Sequence, residues 1–443
     1  MRFVLVAALL APAILPVAAQ AAVDIQEVTS PGGIRAWLVT EPSIPFTALE
    51  IRVRGGANLD REGRRGSVNL MMALLEEGSG GLDARAFQER REALGANFGF
   101  DAWDDAVSVS ATLLSENRDE AVALLRQALV EPRFDEDAVE RVRGQVLSII
   151  AQNAQDPSEI ASDAFMAEAF PDHPYGTSLN GTAESVAALT REDVVQAHRD
   201  AFARSRVYVG AVGDITAEEL GRLLDELFAG LPEDGPPLPP KVEPAFDGGT
   251  AVIPFPTPQS VAIFGQRGLD RDDPDYFAAM ILDNVLGGGG FESRLMDEVR
   301  ERRGLTYGIG TSLVPRDYAA LWMGSVASSN DTVAEAVALT RDIWADMAEN
   351  GITQAELDAA KTYLTGEYPL RFDGNAEIAS ILVGMQMIGL PPSYVLDRNG
   401  YVEAVTLEDA NRVARELMDP EALRFTVVGE PEGLEAAPEA PAP

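Results

Sequence analysis

Glu120-Ala-Val-Ala-Leu-Leu-Arg126 recurs in the second half of the chain as Glu335-Ala-Val-Ala-Leu-Thr-Arg341, an offset of 215 residues. Three further landmarks on either side keep the same order. Leu94-Gly95-Ala96-Asn97-Phe98 corresponds to Leu305-Thr306-Tyr307-Gly308-Ile309, and Leu189-Thr190-Arg191-Glu192-Asp193 to Val405-Thr406-Leu407-Glu408-Asp409. Val207-Tyr208-Val209-Gly210-Ala211-Val212-Gly213-Asp214 corresponds to Phe425-Thr426-Val427-Val428-Gly429-Glu430, aligned on Gly213 and Gly429. All four offsets fall between 211 and 216. Self-similarity at so long a period signals a duplicated domain, not a stack of short repeats, so each half reads as one domain of about 200 residues.

Within each half, strand-like and helical patterns mix. Apolar residues alternate over 34–39 and 46–53, whereas 83–94, 116–129 and 135–151 carry helical spacing with acidic residues near their starts. The elements interleave without regular strand–helix–strand units, which predicts an α+β fold twice over, each copy a largely antiparallel sheet with helices packed on one face. The boundaries expected are a leader over 1–21, an N-terminal domain over 22–231, a linker over 232–246, a C-terminal domain over 247–430 and a tail over 431–443. The linker contains Pro232-Glu233-Asp234-Gly235-Pro236-Pro237-Leu238-Pro239-Pro240, which can continue neither helix nor sheet. The tail is acidic and rich in Pro and Ala, and is expected to be disordered.

The leader reads as an export signal. Arg2 precedes an apolar run over 3–19, broken by Pro12 and Pro16, and Ala19-Gln20-Ala21 has the small-x-small form of a cleavage site. Export through a cleaved signal predicts a periplasmic protein, and no later segment is apolar enough for a membrane span. With no cysteine among the 443 residues, disulfides, thiolate metal sites and cysteine nucleophiles are excluded. Two histidines, His173 and His198, do not make a close metal-ligand pair. The formal net charge is −36, and lysine occurs only at Lys241 and Lys361. Such a field repels phosphate backbones, which predicts no nucleic-acid partner.

Several segments, taken together and in order, resemble the M16 peptidase family, the insulinase and mitochondrial processing peptidase group, in its bacterial two-domain form. They are Gly66-Ser67-Val68-Asn69-Leu70-Met71-Met72-Ala73, at the place of the family's Gly-x-x-His-x-x-Glu-His helix; His173-Pro174-Tyr175-Gly176 with Asn180-Gly181-Thr182; the strand ending Val212-Gly213-Asp214; and Leu286-Gly287-Gly288-Gly289-Gly290, Ser293-Arg294-Leu295 and the segment 300–307. The resemblance spans nearly the whole mature chain. It implies zinc held by two histidines and a distant glutamate, with a second glutamate activating water. Here the histidine positions are Asn69 and Ala73, the general-base position is Met72, and the distal position falls on Ile149 or Ile150. Nothing at these places can hold zinc or activate water, so the chain alone is not expected to be a peptidase and no cofactor is expected in it.

The resemblance also implies an arginine and a tyrosine seven residues apart that bind the substrate backbone and the transition state. Arg300 and Tyr307 match in type, spacing and position. A guanidinium offers forked donors to a peptide carbonyl, and a phenol can donate to an oxyanion. The competing readings are a solvated helix face for Arg300, within the charged run 297–303, and a place in the sheet core for Tyr307, which alternates with Leu305 and Ile309. The first half has Ala96 where the second has Tyr307, so the fold does not need a phenol there. Gly287, Gly288, Gly289 and Gly290 lack the Gly-Lys-Ser/Thr of a phosphate loop. They are expected to form a flexible turn where backbone approaches substrate or subunit closely. His173, in a turn, and His198, in a polar helix, are not expected to be catalytic.

The expectation is therefore a non-catalytic, substrate-binding subunit of a periplasmic heterodimeric M16-type zinc peptidase. Its partner would bear His-x-x-Glu-His and the zinc, and its substrates would be short unfolded peptides. The rival expectation, of a different class, is an inert peptide-binding or scaffold protein of the cell envelope, in homodimeric form.

Overall fold

The computed structural model describes residues 24–434, so the leader over 1–21 and most of the tail over 431–443 lie outside the described residues. The first half builds a six-stranded sheet from β1 (Gln26–Thr29), β2 (Arg35–Thr40), β3 (Phe46–Arg54), β6 (Asn97–Ala102), β7 (Ala106–Leu114) and β8 (Val207–Gly213); β4 (Gly78–Ser79) and β5 (Leu82–Asp83) form a separate short hairpin. The second half builds a five-stranded sheet from β9 (Gly249–Pro254), β10 (Gln259–Arg267), β11 (Ile309–Pro315), β12 (Ala320–Ser329) and β13 (Arg424–Gly429). The strand orders are β1-β2-β8-β3-β7-β6 and β11-β12-β10-β13-β9. Superposing Gly213 on Gly429 pairs β2, β8, β3, β7 and β6 with β9, β13, β10, β12 and β11, which gives one topology twice. Even the exception repeats: β2–β8 and β13–β9 are the single parallel pairs in otherwise antiparallel sheets.

The periodicities place the helices closely. The segments read as helical from sequence become Ala84–Ala93, Arg118–Val130 and Glu136–Asn153. The repeated Thr190 and Thr406 both cap their helices with a reciprocal box, to Asp193 and Asp409 respectively. Gly213 and Gly429 close equivalent strands with φ of 137° and 152°. A Cβ at Gly213 would fall 2.2 Å from the Phe46 carbonyl oxygen, and one at Gly429 2.2 Å from Ser260 Oγ, so both require glycine.

Each sheet packs one face on its own helices, forming two large cores, one over residues 28–231 and the other over 252–427. The sequence does not disclose what covers the opposite faces. The helix Asn375–Met387, from the second half, lies on β8 and β3 of the first sheet; the helix Pro157–Ala169, from the first half, lies on β10 and β13 of the second. The halves thus exchange a helix. The physical cause is visible along β8, where Val209 and Ala211 enter the first core and Val212 packs outward against Ala379, Leu382 and Met385. A strand buried on both faces needs a cover on both. Gly210 lets the exchanged helix approach, because a Cβ there would lie 2.4 Å from the Ala379 carbonyl oxygen.

Residues 232–248 form neither helix nor strand. They are nonetheless tied down: Val242 N donates to the Tyr318 carbonyl at 2.8 Å and Ala245 N to that of Ala169 at 2.9 Å. Polar contacts join the halves beside them. Arg316 pairs with Asp104 at 2.7 Å, Arg54 with Asp317 at 3.2 Å, and the Asp317 amide donates to Asp105 at 3.2 Å. Burial and the Asp105 carboxylate raise the pKa of the Tyr175 phenol, so at neutral pH it remains a donor to Asp105. Among the described residues, no helix is long and apolar enough to cross a membrane.

Candidate functional site

The helix Ser67–Ala73 starts where Asp60 accepts from Gly66 N at 2.8 Å, Ser67 Oγ at 2.7 Å and Val68 N at 2.8 Å. These bonds fix the orientation of the residues that follow. Asn69 donates its amide to Asn180 Oδ1 at 2.9 Å, which joins the helix to the Asn180-Gly181-Thr182 turn. Met72 is buried at 1% exposure within the first core, while Ala73 is exposed and ends the helix. On the helix Glu136–Asn153, Ile149 is exposed and Ile150 packs partly against the core. The acids nearest in sequence are already engaged: Glu76 with Arg91 at 3.1 Å, and Glu77 bidentately with Arg141 at 2.9 and 2.6 Å.

These residues do not fit zinc. One amide, a buried thioether, a methyl group and two isoleucines supply neither imidazole nor carboxylate, and no group of three His, Cys, Asp or Glu side chains able to hold a metal occurs among the described residues. The two histidines are elsewhere. His173 Nδ1 accepts from Tyr175 N at 3.2 Å, and His198 Nε2 lies 2.8 Å from the Leu129 carbonyl; burial lowers the pKa of both.

In the second half, the helix Tyr276–Asp283 runs on through a wide turn over Asn284–Gly288 and a short 3-10 turn over Gly290–Glu292 to a second wide turn over Met296–Arg302. Gly287 is buried, and a Cβ there would fall 2.6 Å from the Thr311 amide nitrogen. The close approach expected of the glycine run is at this position an approach to the chain's own β11. Gly288 and Gly290 are exposed and Gly289 is half-buried.

Arg300 sits on the second wide turn among arginines that are all engaged. Arg294 bonds Glu356 at 2.7 and 2.9 Å, Arg302 pairs with Asp297 and Glu298 at 2.8 and 2.5 Å, and Arg303 pairs with Glu335 at 3.1 Å. The Arg300 side chain has as acidic partner only its sequence neighbour Glu301, at 3.6 Å, and makes no hydrogen bond to any described residue. Tyr307 is 88% exposed and precedes the first residue of β11, while Leu305 and Ile309 on either side are buried at 8% and 5%. Its ring therefore does not fill the sheet core, although the alternation allowed that. The Thr306 hydroxyl donates to the Ala327 carbonyl at 2.6 Å and accepts from the Gly308 amide at 3.1 Å, anchoring the backbone beside the tyrosine.

One residue that sequence reasoning passed over lies beneath the glycine turn. Asp283 accepts from the Trp322 indole at 2.8 Å, and its carboxylate occupies the space where a Gly288 side chain would sit, 2.6 Å from an ideal Cβ. Burial pushes its pKa up to about 6, with partial relief from Thr311 and Trp322. The native state then holds this proton more tightly than the unfolded chain between about pH 4 and 6, so stability falls as the pH rises through that window and stays lower above it. Asp283→Asn keeps the shape without the charge. It is expected to match the parent at pH 4 and exceed it by on the order of 2 kcal/mol above pH 6.5, read as the difference in urea unfolding between the two proteins across that range. A difference independent of pH would contradict the assignment.

Comparison with known proteins places this geometry. Residues 35–183 match the profile described as Insulinase (Peptidase family M16), and residues 188–364 that described as Peptidase M16 inactive domain. The chain is 26% identical to "Non-peptidase homolog YmxG" of Helicobacter pylori over 87% of this chain and 89% of that protein. It is 28% identical to an "Uncharacterized zinc protease" of Mycobacterium tuberculosis over 90% and 92%. A crystal structure of a peptidase M16 inactive domain from Pseudomonas fluorescens superposes with a TM-score of 0.86 and 29% identity, covering 93% of this chain and 99% of the other. Two profiles and the duplicated sheet topology agree: the chain belongs to the M16 peptidase family, with Asn69, Met72 and Ala73 standing at the positions of its zinc motif.

Proposed function

We propose that this chain is the non-catalytic, substrate-binding subunit of a heterodimeric M16-type zinc peptidase of the periplasm. A second M16 chain bearing His-x-x-Glu-His supplies zinc and the activated water. This chain supplies Arg300 and Tyr307 to the backbone of a short, unfolded peptide held between the subunits. The observation that carries the reading is an asymmetry. The zinc-motif positions have taken up structural roles, Asn69 bonding Asn180 and Met72 filling the core. On the other side, Arg300 is the arginine of its turn whose donors meet no described hydrogen-bond partner, and Tyr307 stands in solvent. A guanidinium and a phenol whose donors no described residue takes up are suited to a peptide carbonyl.

Export through the leader is what puts such a subunit in the envelope. The test is to tag the mature chain, purify it gently from its own envelope, and identify by mass spectrometry and metal analysis what accompanies it. A near-stoichiometric M16 chain with His-x-x-Glu-His and about one zinc per pair is the expected result. Recovery of this chain alone or with itself, free of metal, would replace the proposal with an inert peptide-binding or scaffold role.

A further inference from the structure

Phe291 follows the glycine run and is 64% exposed. The Arg300 guanidinium carbon lies 4.5 Å from its ring centroid. The backbone that presents the ring is pinned: Ser293 returns both its amide, at 3.1 Å, and its hydroxyl, at 2.8 Å, to the Gly290 carbonyl, and Gly289 N donates to the Asn284 carbonyl at 2.8 Å. Gly290, at φ 62°, supplies the left-handed step that turns the chain into Phe291.

We propose that Phe291 is a positioning residue for Arg300: its ring holds the guanidinium from one face and leaves the in-plane N–H donors free for a bound peptide. This rests on Arg300 being a substrate-binding residue. A cation is drawn to the face of an aromatic ring, whereas the five donors of a guanidinium lie in its own plane. A carboxylate partner, such as those of Arg294, Arg302 and Arg303, would fix the side chain by consuming the donors. A ring fixes it without consuming them. An arginine already held also loses less rotamer freedom when a peptide carbonyl or carboxylate arrives.

The test uses the complex purified through the tagged chain and a quenched-fluorescent decapeptide as probe, with Phe291→Leu, Phe291→Trp, Arg300→Ala and the Phe291→Leu/Arg300→Ala pair. Phe291→Leu keeps apolar bulk but removes the π face, and is expected to raise KM about five- to tenfold with kcat changed less than twofold. Phe291→Trp should stay within about twofold of the parent, and the double variant should be no worse than Arg300→Ala alone. An unchanged KM in Phe291→Leu while Arg300→Ala loses activity overturns the role of Phe291 and spares that of Arg300. No loss in Arg300→Ala overturns both. On the isolated chain, with isotope-labelled arginine, Arg300 side-chain protons should resonate upfield from the ring current, lose that shift in Phe291→Leu and keep it in Phe291→Trp; an unshifted signal in the parent also overturns the proposal.

Discussion

Arg300→Ala in the assembled complex is expected to lower kcat/KM by about a hundredfold while the two subunits still associate. The magnitude follows from what is removed. A guanidinium held in place gives charge-assisted hydrogen bonds to the peptide backbone, and losing them costs about 3 kcal/mol, felt chiefly in KM. Assembly should survive, because the Arg300 side chain makes no hydrogen bond to any described residue and its one ion pair, with Glu301, is long at 3.6 Å. Arg303→Ala, one salt bridge away from the same turn, is the matched control, since its partner Glu335 is half-exposed and surface pairs contribute little. Steady-state kinetics of parent, Arg300→Ala and Arg303→Ala with the same decapeptide give the comparison. Equal losses in both arginine variants would point to a disturbed turn instead of a lost substrate contact.

Leu382→Ala carries the largest expected effect on stability, about 2–5 kcal/mol. Leu382 is fully buried on the exchanged helix, packed with Trp37, Ala48 and Val212 of the first half's sheet. The residue lies in the second half of the sequence, yet the strands it covers lie in the first. Urea unfolding should therefore lose stability at a signal from Trp37, and amide exchange along Val207–Gly213 should accelerate. Leu396→Ala, at 66% exposure, should change stability by no more than about 0.5 kcal/mol. A loss confined to second-half signals, with Trp37 and β8 undisturbed, would mean that the exchanged helix does not support the first sheet.

These two outcomes draw on different levels of the sequence. The duplication was legible because repeated capping and strand-end residues, Thr190 with Thr406 and Gly213 with Gly429, are local requirements that survive divergence. From them the strand order of one half could be carried to the other. The exchange of helices was not legible. The unbroken run without charges along Val207–Gly213 fits a strand buried on both faces, but the residues that cover the outer face lie about 170 positions away and carry no pattern that names their partner. Tyr307 shows the limit from the other side. Its spacing with Leu305 and Ile309 fits a core strand, yet β11 begins only at Ile309, so the ring falls outside the sheet. Gly287 and Phe291 were hidden for a similar reason. A glycine pressed on its own strand and a phenylalanine beneath an arginine are tertiary facts, and the sequence marks the turn without saying which of its residues face inward.

Under the proposed function, this chain completes another chain's active site. The most direct measurement titrates the purified mature chain into a fixed amount of its zinc-bearing M16 companion and follows cleavage of the decapeptide. Little activity from either chain alone and a rise to a plateau at equimolar mixing are the expected result. A companion that is fully active alone, and unmoved by any amount of this chain, would contradict it.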